Sequence, residues 1–191
     1  MMSNSALTQD RQAINLVLNG DVDHFEILVR KYRDKVFRYL IKNFTEPSLA
    51  EDLTQDTFLE AFRNLDKFRG ESSFSTWLIG IALNLSRNHF RKNRKNMEQT
   101  LHTHAQTDQS RIGTNPLDIL ESNKHIASLK NEICKLPGGM REVLILVSLE
   151  EYTYEETSKI ANIPIGTVKS RVFKAREMLR EAMKKLEKGS N

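Results

Sequence analysis

Between Ile165 and Arg176 the chain carries four cations, Lys169, Arg171, Lys174 and Arg176, and no acid, with Thr167, Ser170 and Phe173 among them. Ammonium and guanidinium groups suit the phosphate oxygens of a nucleic acid, and a forked guanidinium suits base edges. Arg171 is the candidate for a bidentate guanine contact. The element that must present these groups is a helix. Val168, Val172, Ala175 and Leu179 recur at i, i+4, i+7 and i+11, a buried stripe that turns the other side chains outward. A shorter helix precedes it. Thr153 and Glu156 have the spacing of a capping box, so that helix starts there. Asn162-Ile163-Pro164 ends it, because the residue before a proline avoids the α region and Asn tolerates a left-handed conformation. A short helix, a tight turn and a basic helix from about Ile165 to beyond Leu179 make a helix-turn-helix that fits a DNA major groove. The plainer alternative is a helical hairpin with a solvated basic face.

A second set of such residues lies upstream. On a helix predicted from about Phe74 to Arg94, Leu78, Ile81, Ala82 and Leu85 form a packing stripe. Trp77, Gly80, Asn84, Arg87, Asn88 and Arg91 form a neighbouring one, and Lys92, Arg94 and Lys95 extend its charge. A flat ring, amides and cations are what reading an unstacked base requires. The loop before this helix, Phe68 to Ser73, brings Gly70, Glu71, Ser72 and Ser73, whose backbone and hydroxyls can line a pocket beside Trp77 and Asn84. The competing reading makes Trp77 a core residue and the basic run a helix end whose cations suit the dipole.

Between these regions residues 45–62 hold five acids and no base, and Asp52, Gln55, Asp56 and Leu59 share one helical face. A face that repels DNA and exposes a leucine suits a protein partner. A metal-dependent enzyme using Glu51, Asp52 and Asp56 is the rival reading, but no nucleophile elbow, P-loop or zinc motif accompanies them, so catalysis is not expected.

The rest of the chain organises these segments. Charge divides by segment: 15 Lys/Arg against 12 Asp/Glu in residues 1–96, one against four in 97–122, and 13 against nine in 123–191. Two basic domains, 10–96 and 123–188, are therefore expected on either side of an acidic, polar linker, 97–122. His102 and His104 lie in that linker without clustered companions, so no metal site is expected there. Further helices are predicted over 23–44, from a capping box at Ser48 and Glu51 to about Leu65 (buried stripe Ala50, Leu53, Phe58, Ala61 and Leu65), and over about 123–135 and 139–150. No strand alternation is present, so the class is all-α. Cys134 sits among apolar residues and reads as a small buried core side chain. Neither a long apolar run nor a signal-peptide pattern occurs, and the expected location is the cytoplasm.

Asp52-Leu-Thr-Gln-Asp-Thr-Phe58, Phe68-Arg-Gly-Glu-Ser-Ser-Phe-Ser-Thr-Trp77, Leu136-Pro137 with Arg141, and Gly166-Thr-Val-Lys-Ser-Arg171 follow one another in an order that resembles a bacterial sigma factor of the extracytoplasmic-function (ECF) group. The resemblance implies that the first domain is region 2, which docks on the clamp helices of the largest subunit of core RNA polymerase and opens the −10 promoter element. It implies that the last is region 4, which reads the −35 element and lies near the β flap. Polymerase docking would then involve Asp52, Gln55, Asp56 and Leu59. The −10 element would meet Ser72, Ser73, Trp77, Asn84, Arg87, Asn88, Arg91, Lys92 and Lys95, and the −35 element Thr167, Lys169, Ser170, Arg171, Phe173, Lys174 and Arg176. It further implies a membrane-anchored anti-sigma factor that holds the protein at the inner face of the membrane until a stress signal, no cofactor and no small-molecule substrate. Thr157-Ser158 and Asn162 replace the family's usual Ile-Ala and turn glycine, and Lys169 and Lys174 stand where Arg is common. A helix-turn-helix repressor or activator with an N-terminal effector or dimerisation domain is the alternative.

Overall fold

A computed structural model describes residues 4–44, 46–101 and 121–189, and the side chains of 9–44, 46–93 and 128–186. The chain divides into two compact units, Met1–His104 and Ala105–Asn191. Every regular element among the described residues is helical. His102, His104 and most of the acidic segment lie outside the described residues.

The first unit contains α1 (Asn4–Leu18), α2 (Phe25–Asn43), α3 (Pro47–Arg63) and α4 (Phe74–Leu101). Helices α2, α3 and α4 pack pairwise, and α1 lies against α2. Their shared core includes Leu28, Val36, Tyr39, Ala61, Leu78 and Leu83, all essentially without solvent contact. Helix α1 was not anticipated by the apolar pattern. It buries Ala13, Ile14 and Val17 and closes on Gly20, whose φ of +100° only glycine adopts easily. The Asp21 N–H bonds the Leu16 carbonyl and the Gly20 N–H that of Val17, which satisfies two orphan carbonyls of the last turn.

Two sequence expectations for this unit need correction. The Ser48–Glu51 capping box does not form: Pro47 takes the first helical position of α3, Glu46 becomes the N-cap, and the Ser48 hydroxyl turns back to Glu46. On α4 the core stripe is broader than Leu78, Ile81, Ala82 and Leu85. Ile79, Leu83 and Ser86 are buried while Ile81 and Leu85 are half-buried, because α4 packs against both α2 and α3. The helix also continues past Arg94 to Leu101.

The second unit contains α5 (Glu121–Lys135), α6 (Gly138–Ser148), α7 (Tyr154–Ala161) and α8 (Ile165–Gly189). Helix α8 is its spine, in contact with the other three, and its Val168 and Val172 pack with Val143 of α6 in the core. Cys134 is half-buried rather than part of that core. Its carbonyl accepts a hydrogen bond from the Arg141 guanidinium at 2.9 Å, which ties the end of α5 to α6.

Candidate nucleic-acid and partner interfaces

Helices α7 and α8 meet as the local chemistry requires. The Thr153 hydroxyl accepts from the Glu156 N–H at 3.1 Å and the Glu156 carboxylate accepts from the Thr153 N–H at 2.9 Å, a complete capping box. Asn162 ends α7 at φ 53° and ψ 52°. The Ile163 N–H bonds the Ser158 carbonyl, and the Ser158 hydroxyl donates to the Ile163 carbonyl at 2.6 Å. Ser158 therefore staples the turn that Asn162 makes without a glycine. Thr157 has no such use for its hydroxyl, which is fully buried and without a partner among the described residues.

The side chains of α8 separate into two groups. Lys169, Ser170, Phe173 and Lys174 are exposed away from the buried stripe, and Phe173 is 67% exposed, a large apolar ring left in water. Thr167 is half-buried, and its carbonyl accepts from the Ser170 hydroxyl at 3.0 Å. Arg171 and Arg176 flank the buried stripe, one on each side, when the helix is laid out at about 100° per residue. Both reach back to their own unit. The half-buried Arg171 lays its guanidinium over Gly139, and Arg176 donates to the Ser148 hydroxyl at 3.1 Å. Spacing alone placed all seven residues outward; Arg176 remains exposed despite its bond, whereas Arg171, whose long side chain lies along its own unit, is half-buried.

In the first unit, α4 begins beneath an aromatic cluster. Trp77 is half-buried, with ring centroids 5.3 Å from Phe68 and 5.7 Å from Phe74. It is at once a packing residue and a partly open surface. Gly70 holds the preceding loop open at φ 71°. The Ser73 hydroxyl is engaged at the start of α4, accepting from the Thr76 N–H at 3.1 Å and bonding the Thr76 hydroxyl at 2.8 Å. It caps the helix, whereas the half-buried Ser72 hydroxyl makes a long 3.3 Å bond to the Ser73 carbonyl. Beyond the cluster Asn84, Asn88, Arg91 and Lys92 are exposed along α4 and Arg87 is half-buried. Arg91 donates to the Asn88 side chain at 3.0 Å. Lys95 lies on the same helix, its side chain outside the described residues.

On α3, Asp52, Gln55, Asp56 and Leu59 are all exposed on one face, Leu59 at 52%. Buried Thr54 and Thr57 on the opposite face bond the carbonyls four residues back. An open groove of about 750 Å³ runs beside the exposed face, between α3 and the start of α2, floored by Phe25, Phe58 and Phe62 and bordered by Gln55 and Leu59. Periodicity did not reveal this groove, since it depends on how two helices cross. Among the described residues no group of three or more His, Cys, Asp or Glu is placed to hold a metal ion, so Glu51, Asp52 and Asp56 do not form one. Nor is any described helix long and apolar enough to cross a membrane.

Comparison with known proteins matches both units. Residues 28–96 fit the model of sigma-70 region 2, and residues 126–179 that of sigma-70 region 4. The chain is 34% identical over 182 residues to the ECF RNA polymerase sigma factor SigW of Bacillus subtilis, covering 92% of this chain and 97% of that one. It is 32% identical over 185 residues to the RNA polymerase sigma-H factor of Pseudomonas aeruginosa, covering 93% and 95% respectively. Among solved structures it is similar to the sigma factor RpoE of Bartonella quintana, determined in complex with the anti-sigma factor NepR. There the TM-score is 0.66 at 26% identity, over 84% of this chain and 96% of the other. CnrH, solved with the cytosolic domain of CnrY, shares the fold at a TM-score of 0.67 and 21% identity, over 92% and 97%.

Proposed function

The chain belongs to the ECF sigma factors of bacterial RNA polymerase, and we propose how its surfaces divide the work of that family. The α3 face with Asp52, Gln55, Asp56 and Leu59, together with the adjoining groove, docks on a basic, partly apolar helical element of core polymerase, the clamp helices of the largest subunit. Opposite charge steers such an encounter and apolar contact holds it. The second unit lays α8 in the major groove of the −35 element, with Lys169 and Lys174 on phosphates and Phe173 and Ser170 against base edges. The pocket formed by residues 70–73 and the Trp77 cluster takes a base extruded from the −10 element. Asn84 and Asn88 contact its neighbours, and Arg87, Arg91, Lys92 and Lys95 hold phosphates.

The observation that carries this reading is the course of α4. One helix starts beside the Phe68–Phe74–Trp77 aromatic cluster and the loop before it, and then exposes Asn84, Asn88, Arg91 and Lys92 beyond them. Single-stranded DNA calls for that sequence of a stacking surface, amides and cations. A repressor or activator reading is not favoured, because the first unit matches region 2 rather than an effector domain. As a sigma factor the protein lends specificity to the polymerase and performs no catalysis itself. It acts in the cytoplasm during a stress or envelope response. An anti-sigma factor, held at the membrane, restrains it by covering the same polymerase and DNA faces; of this, the complex of the Bartonella relative supports an anti-sigma partner. The domain limits that go with this reading are 10–96, 97–122 and 123–188. Adding the chain to core polymerase and promoter DNA tests the proposal: RNA starting at one defined position supports it, and transcription no more specific than that of core polymerase alone refutes it.

A further inference from the structure

Asp10 lies on α1, ahead of the residues that match region 2, and is only 5% exposed. Its carboxylate accepts from Lys31 Nζ at 2.6 Å and from the Tyr32 hydroxyl at 2.5 Å. Burying a carboxylate is tolerable only where such partners compensate for lost water, so the bond fixes the Tyr32 ring as firmly as it joins the two helices. That ring, 4% exposed, packs on Phe74 at 5.6 Å. Phe74 in turn packs on Phe68 and Trp77 at 5.6 and 5.7 Å. A second route leads the same way: α1 touches the 3-10 turn Leu65–Lys67, which ends where Phe68 begins.

We propose that α1 is a positioning element for promoter opening, in which Asp10, acting through Tyr32 and the buried Phe74, sets the half-buried Phe68 and Trp77 rings as the wall of the base pocket. The inference rests on the base-capture reading of that pocket. A pocket for an extruded base works only if its walls are held close to their bound geometry before the base arrives. Trp77 sits in the first turn of α4, while Phe68 sits on the loop before it, outside any helical ladder. Asp10 meets no DNA in this account; it removes the freedom of a ring that does no reading itself.

Trp77 is the only tryptophan in the chain, so its fluorescence reports on the wall without DNA present. The variants are Asp10→Asn, which lacks the charge that Lys31 meets, and Tyr32→Phe, which keeps the ring and loses the hydroxyl. Both are made in the full chain. Expected are a wild-type far-UV spectrum and wild-type affinity for core polymerase, with Trp77 emission shifted to longer wavelength and quenched more strongly by acrylamide. Opening of a duplex promoter should fall about tenfold, the scale of a lost charge-assisted hydrogen bond, and recover on a template mismatched across the −10 element. If Asp10→Asn does not fold, Tyr32→Phe decides the question. Wild-type Trp77 emission and quenching in a folded variant would overturn the proposal, whatever the promoter assay shows. Altered emission with undiminished duplex opening would instead overturn the base-capture reading, and with it the functional half of this inference.

Discussion

The guanidinium of Arg171 lies so close over Gly139 that a methyl group added there would sit 2.9 Å from Arg171 Nη1. This packing relationship joins α8 to the start of α6, and it changes what Arg171 is expected to do. Arg171→Ala should lower the melting temperature of the second unit and leave base preference at the −35 element unaltered. Binding to a panel of single-base promoter variants checks it; relaxed preference at one guanine would restore Arg171 as a reader. Gly139→Ala should still fold, because only the tip of a flexible side chain must move.

The exposed candidates on α8 are Lys169, Ser170, Phe173, Lys174 and Arg176, the last tied to Ser148. Lys169→Ala and Lys174→Ala should each weaken all sequences alike and make the log–log salt slope shallower by about 0.9, the release from one phosphate. Phe173→Ala removes an already exposed ring, so stability should stay within about 0.5 kcal/mol. Its affinity for the −35 duplex should nevertheless drop. Salt titrations and a melting curve on the same samples test both statements, and unchanged affinity would take Phe173 out of the interface.

Asp52 and Asp56 stand exposed on α3, next to the groove floored by Phe25, Phe58 and Phe62. Reversing both charges, Asp52→Arg with Asp56→Arg, places repulsion in the proposed polymerase contact at a cost of several kcal/mol. Core-polymerase affinity should collapse while the thermal midpoint changes little. A folded double variant that binds core polymerase normally would move the docking surface elsewhere.

Thr157 offers a test of stability alone. Its hydroxyl is completely buried without a partner among the described residues, and leaving such a group unsatisfied costs roughly 1–3 kcal/mol. The isosteric Thr157→Val should therefore stabilise the second unit, raising its calorimetric midpoint by about 4–8 °C for each kcal/mol gained in a domain of this size. A lower midpoint would mean that the hydroxyl is satisfied after all.

Those residues also show how far the sequence could be read. The helix-turn-helix was legible because its signals are local: Thr153 and Glu156 three apart, Asn162 before Ile163-Pro164, and a valine stripe on one face. The same local rule failed at Ser48, where the proline one residue earlier moved the start of the helix. Helix α1 was missed because most of its apolar residues crowd into its last six positions instead of recurring along its length, and because one of its ties, from Asp10 to Tyr32, joins residues far apart in the chain. Of the candidate interface residues, periodicity placed Asn84, Asn88 and Lys169 on exposed faces, and the structure keeps them there. It misjudged the surroundings of Arg171, which is half-buried with its long side chain turned back over Gly139. The Ser73 hydroxyl is taken up by helix capping, which no residue spacing announces with certainty when serines stand side by side.

Asn84 is exposed on α4 beyond the Trp77 cluster, where it can meet an extruded base. Holding a base out of the duplex costs a few kcal/mol, and that cost vanishes on a template already mismatched across the −10 element. The measurement is transcription by core polymerase with wild type or Asn84→Ala, from duplex and from mismatched promoter in parallel. Wild type should yield RNA from one start site on both templates; Asn84→Ala should fail on the duplex and largely recover on the mismatched template. Equal loss on both templates would contradict the base-capture role, and no start-specific RNA from wild type would contradict the account as a whole.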